Sequence, residues 1–169
     1  IRRDLPFLLR GKRLSAWNQA FNDRILSNNR VAMTETLKPN HTLKPRFTYA
    51  PLFMPHTPFG FDSTGKMIPP SVGKTLAQDC DDYLQYLVYT NKLLIKFLDE
   101  LKRNTNGDAV ILIASDHGYR AGCTTTPSTA EFSVLMSYYL PAGVGNIRDV
   151  SGVSNVQAFR ILFDAIFPK

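Results

Sequence analysis

The stretch "ILIASDHGYR", residues 111–120, decides how the rest of this chain is read. It ends the unbroken apolar run Ala109 to Ala114, "AVILIA", which suits a central strand buried on both faces of a parallel sheet. An acid and an imidazole follow at once. Ligands of open α/β sheets bind beyond the carboxyl ends of the strands, where these residues fall. Asp116 offers a hard oxygen and His117 a ring nitrogen, a pair suited to Zn²⁺ or Mn²⁺. Adjacent side chains of a straight strand point to opposite faces, so the chain must turn for both to meet one ion. Gly118 permits that turn. The plain alternative is a helix-capping Asp beside a surface His.

Working outward, Asp81 to Arg103 reads as a helix, with Leu84, Val88, Asn91, Ile95 and Leu98 on one face at the 3–4 spacing. Asp81 and Asp82 near its start and Lys102 and Arg103 near its end complement the helix dipole. Asn91 on the apolar face is expected to make a buried hydrogen bond. Further upstream, Phe47 to Phe53, "FTYAPLF", reads as a strand, and Pro51 gives it an edge position or a bulge. The loop "MPHTPFGFDSTGKMIPP" follows. Strand, helix and strand together predict a right-handed βαβ crossover. Downstream, Phe132 to Leu140 is another strand candidate. Ser154 with Gln157 makes a capping-box pattern opening a last helix, with Phe159, Phe163 and Ile166 on its inner face. Residues 11–37 read as a helix striped by Trp17, Phe21, Ile25 and Leu26. The pattern as a whole is α/β, with helices covering a mainly parallel sheet.

Bulk properties exclude more than they assign. The 169 residues suit one domain or a large piece of one. The chain opens on Ile1 with no initiator Met, as a processed product or an excised piece does, and no signal peptide is visible. No apolar run approaches the roughly 18–20 residues that span a bilayer. The cysteines, Cys80 and Cys123, form no C-x-x-C pair and are too few for a disulfide framework. Residues 1–46 hold ten Lys/Arg against three Asp/Glu, while the remainder is near neutral. Such a segment either attracts an anionic partner or is a solvated helical face. It lacks interleaved stacking aromatics, so no nucleic-acid partner is expected.

A second chemical signal is "LFMPHTPFG". His56 sits in a turn whose backbone Pro55 and Pro58 restrict, so its imidazole is held in place. A positioned His can hydrogen-bond a phosphoryl or sulfuryl oxygen or act as an acid, and the alternative is a loop His with no task. His41, in a polar connector, is read as a surface residue.

The order of these pieces resembles the C-terminal half of bacterial sulfatase-like proteins of the alkaline phosphatase superfamily, including lipoteichoic-acid-synthase-like and phosphoethanolamine-transferase-like enzymes. "LFMPHTPFG", "YTNKLLIKFLDELKRN", "AVILIASDHGYR", "YYLP" and "VSNVQAFRILFDAIF" carry the resemblance over residues 46–168. It implies two parts, a basic helical segment at 1–45 and the C-terminal part of the sulfatase-like domain at 46–169. It further implies that Asp116 and His117 ligate a catalytic divalent metal (Zn, Mn, Mg or Ca), and that His56 contacts the phosphate or sulfate group of an ester substrate. Arg120 either helps to hold that anion or is a surface arginine. The activity implied is that of a metal-dependent hydrolase or transferase of phosphate or sulfate esters, at the periplasmic or extracellular face of the inner membrane. The family's nucleophile and a further acidic ligand match nothing in residues 1–45, and Thr124, Thr125 and Thr126 do not fit the nucleophile motif. The chain is therefore expected to be inactive alone and to need the missing N-terminal part of the same domain. The competing reading is a non-catalytic α/β module that binds an anionic partner through its basic N-terminal segment.

Overall fold

The computed structural model describes residues 5–42, 44–68, 74–119, 129–144, 147 and 150–167. Its elements are α1 (Leu5–Leu37), α2 (Leu76–Asn104), β1 (Ile111–Ala114), a 3₁₀ turn (Thr129–Phe132), β2 (Met136–Tyr139) and α3 (Asn155–Ile166). The chain divides into two compact units, Ile1–Leu101 and Lys102–Lys169.

In the first unit α1 stops just before Lys38-Pro39, because proline disfavours helical backbone in the residue before it. Its inner face is largely polar. Asn22, Ile25, Asn29 and Thr36 are buried, while Phe21 and Leu26 of the expected stripe are half-buried, and the side chain of Trp17 lies outside the described ones. The polarity follows from what the helix packs on. Phe47 to Phe53, expected as a strand, pairs with no other strand. Pro51 carries no backbone N–H, and the N–H of Phe53 donates instead to Oδ1 of Asn29 at 2.8 Å. The guanidinium of Arg46 donates to the Thr36 carbonyl at 2.9 Å. At Gly60 a Cβ would lie 2.4 Å from Nδ2 of Asn22, so only glycine fits against that carboxamide.

The following loop supplies an aromatic core. Phe61 packs on Tyr86 and Tyr89 with ring centroids 5.5 and 5.7 Å apart, and Phe59 meets Tyr83 edge-on at 5.5 Å. Burial, with Tyr89 beside it, pushes the Tyr86 hydroxyl up to about 12. Between these rings and the next helix the chain reverses tightly. Oδ1 of Asp62 accepts from the N–H of Thr64 and of Lys66 and from the Thr64 hydroxyl, which together hold its carboxyl below the usual range. Gly65 completes the reversal at φ +87°.

α2 corrects the expected stripe. Leu84 is 53% exposed and Ile95 61%, Val88 and Asn91 are also exposed, and the buried positions are Cys80, Tyr86, Thr90 and Phe97. Tyr86 and Phe97 lie two positions beyond Leu84 and Ile95. At about 100° per residue that is the opposite side of the helix. The aromatic loop selects the side bearing Tyr83, Tyr86 and Tyr89, and Asn91 makes no buried bond.

In the second unit β1 and β2 pair antiparallel, with Ile111 opposite Tyr139 and Ala114 opposite Met136. No parallel pairing and no βαβ crossover occur among the described residues, because 47–53 is not a strand. β1 is half-buried rather than buried on both faces. The strand expected over 132–140 is confined to Met136–Tyr139, with the 3₁₀ turn taking Phe132. α3 has the expected capping box, Ser154 with Gln157. Its inner face is Ala158 and Leu162, however, and Phe159 and Phe163 are exposed while Ile166 is half-buried. The Tyr138 hydroxyl donates to the Ala158 carbonyl at 2.9 Å, an approach that needs a small residue on that side. The displaced phenyl rings stack along the outer side instead, with Phe163 and Phe167 centroids 6.2 Å apart.

Candidate metal centre

β1 delivers its last residue, Ala114, directly into Ser115, Asp116 and His117. Four hydrogen bonds fix the backbone on either side of the acid–imidazole pair. The N–H of Ser115 donates to the Leu135 carbonyl at 2.9 Å, and the N–H of Leu135 donates back to the Ser115 hydroxyl at 2.7 Å. Nδ2 of Asn155 donates to the Ser115 carbonyl at 3.2 Å. Past the pair, the N–H of Gly118 donates to the Glu131 carbonyl at 2.9 Å.

Within this frame the pair orders itself. The N–H of His117 donates to Oδ1 of Asp116 at 3.0 Å. Nδ1 of His117 lies 2.6 Å from the Gly118 carbonyl. A carbonyl only accepts, so Nδ1 carries the hydrogen and the lone pair of the neutral ring sits on Nε2. Oδ2 and Nε2 are 3.7 Å apart, with the Asp116 side chain 88% exposed and that of His117 35%. Two ligand atoms on a tetrahedral ion with bonds of about 2.0–2.1 Å stand about 3.4 Å apart, so a small side-chain rotation brings both onto one ion. After the strand the chain bends at Asp116 rather than turning at Gly118, and the donor set fits a divalent metal as two ligands of a larger shell. No group of three or more His, Cys, Asp or Glu side chains that could hold an ion occurs among the described residues.

His56 belongs to the other unit. It is exposed, with Nδ1 bonded to the Thr57 carbonyl and its ring 6.1 Å from that of Phe21. Nδ1–H is thereby committed, so the ring donates to an anion through Nε2 only as imidazolium. His41 is exposed in the polar connector. Arg120 and Thr124 to Thr126 lie outside the described residues. Sequence reasoning missed Ser115 and Asn155. A serine before the acid could have drawn notice, but Asn155 follows the cap of a helix forty residues on, and nothing local marks its reach.

The family model described as Sulfatase matches residues 13–142, beginning inside α1 and running past β2. No curated protein and no solved structure matches the chain. Among the described residues no helix is long and apolar enough to cross a membrane.

Proposed function

The chain belongs to the sulfatase family, and from that premise we propose that it forms part of a metal-dependent enzyme acting on phosphate or sulfate esters, as hydrolase or transferase. The observation that carries the reading is the pairing of Asp116 Oδ2 with His117 Nε2 at 3.7 Å, the imidazole tautomer being set by the Gly118 carbonyl. These two atoms would hold a divalent ion, with Zn, Mn, Mg and Ca all compatible with oxygen and nitrogen donors. When bound, such an ion supplies a Lewis acid that lowers a nucleophile's pKa and offsets charge developing on the ester. By the family resemblance, His56 would hydrogen-bond an ester oxygen; Arg120 lies outside the described residues. No residue of this chain matches the family's nucleophile, so the catalytic step needs residues from another part of the same domain, whose sheet is proposed to be mainly parallel. The exposed apolar faces of α2 and α3 suit burial against such a part. Cys80 is disulfide-bonded, which suits the proposed location outside the cytoplasm.

Calorimetric titration of the chain with Zn²⁺ and Mn²⁺ tests the reading. Weak binding is expected, because two protein ligands leave the rest of the shell to water. It weakens as pH is lowered, since a protonated ring does not ligate. His117→Ala lowers affinity by at least about tenfold, while His41→Ala and His56→Ala leave it unchanged. Wild-type affinity in the His117→Ala chain would remove the metal assignment.

A further inference from the structure

We propose that Ser115 and Asn155 are positioning residues, which set the direction in which Asp116 and His117 face. The proposal rests on the metal reading above. Asp116 exposes most of its side chain, so nothing packs it into one orientation. Its direction therefore depends on its backbone, and above all on the peptide plane joining it to Ser115.

Both ends of that plane's approach are tied. The carbonyl of Ser115 belongs to the plane itself, and Asn155 Nδ2 donates to it at 3.2 Å from the first turn of α3. One residue earlier, the Ser115 N–H and hydroxyl exchange bonds with the carbonyl and N–H of Leu135 at 2.9 and 2.7 Å. These last two bonds carry the β1–β2 pairing one step beyond the ladder. The hydroxyl of Ser115 takes the place of its own carbonyl as acceptor for Leu135, and the carbonyl is thereby released to Asn155. The chain thus leaves the sheet at Ser115 without an unpaired backbone group. The Gly118 N–H, bonded to the Glu131 carbonyl at 2.9 Å, closes the far side. α3 is in turn fixed to β2 by the Tyr138 bond to Ala158, so Asn155 donates from an element anchored to the same hairpin. Partners of this kind, which touch no ion themselves, orient ligands and commonly change metal affinity by 10- to 100-fold.

The test uses the full chain, titrated calorimetrically with Zn²⁺ and Mn²⁺ at one pH, together with thermal melting and amide hydrogen exchange at Leu135 and Gly118. Asn155→Ala and Ser115→Ala are each expected to weaken metal binding about tenfold. Ser115→Ala also speeds exchange of the Leu135 amide, and Ser115→Thr, which keeps the hydroxyl, restores both affinity and protection. Ser115→Ala alters no helix and carries the test if Asn155→Ala does not fold. His117→Ala separates the two claims. If it loses binding while both positioning variants bind as the wild type does, the positioning role is overturned and the metal reading stands. If it binds as the wild type does, the metal reading itself fails and the positioning proposal falls with it.

Discussion

Two stretches of this chain look alike on paper, each an apolar run ending in a loop that carries a histidine. The run at 111–114 is a strand, and its loop is tied by main-chain bonds continuing the β1–β2 ladder. The run at 47–53 pairs with no strand, and within it the N–H of Phe53 donates to Oδ1 of Asn29 on α1. The difference lies in Pro51 and in the partner at hand. A run without proline beside a second extended segment forms a ladder, whereas a run lacking one N–H beside a helix needs carboxamides. His117 is therefore positioned by regular structure and His56 by packing, and the two should fail under different perturbations.

A large effect is expected in the packed region. Gly60→Val puts branched carbon where even a Cβ would stand 2.4 Å from Nδ2 of Asn22, a side chain only 4% exposed. Neither partner has free volume, so the cost should reach about 3 kcal/mol, the upper end for overpacking. Thermal melting followed through the tyrosines near Phe61 reads it. An unchanged melting temperature would mean that α1 does not clamp the loop, and the contrast would collapse.

Alkaline pH sharpens the same comparison at a smaller magnitude. A tyrosine of the unfolded chain ionises near its ordinary value of 10.0, while folding raises Tyr86 to about 12. Between those values the unfolded state loses the proton first and is favoured. The contribution is therefore whole below pH 10, declines above it and is gone once pH passes about 12. Its size is at most about 2.7 kcal/mol, two units at about 1.36 kcal/mol each. Tyr86→Phe should flatten the decline of melting temperature over that window. An equal decline in the variant would place the titrating group elsewhere.

Much of this was legible in the residues. Both long helices, the strand at 111–114 and the capping box at Ser154 follow from local pattern, because each is decided by neighbours within four residues. The acid–imidazole pair was legible for the same reason, since its two members are adjacent and one carbonyl sets the tautomer. What could not be read was which side of α2 and of α3 would be buried. That choice was made by partners distant in sequence, the rings of Phe59 and Phe61 for α2 and the Tyr138 hydroxyl for α3. The reach of Asn155 to Ser115 was hidden by the same separation.

The smallest predicted effect tests that last point on two residues of one helix. Hydrophobic spacing assigned Ile95 to the core of α2, yet it is 61% exposed, and Phe97, two positions on, is 9% exposed. Replacing Ile95 by Ser removes apolar surface that water already covers, so it should change stability by no more than about 0.5 kcal/mol. Phe97→Ala empties a filled site and should cost about 3 kcal/mol or more. Helix propensity does not blur the contrast, because isoleucine and serine rank close together in helices. Urea denaturation of the two variants decides it, with unchanged slopes confirming that both unfold from the same native state. Equal losses would mean that the Leu84–Val88–Ile95 side is buried in solution. α2 would then be turned about its axis by roughly half a turn, and the aromatic packing of Phe61 on Tyr86 would not be what holds the His56 loop in place.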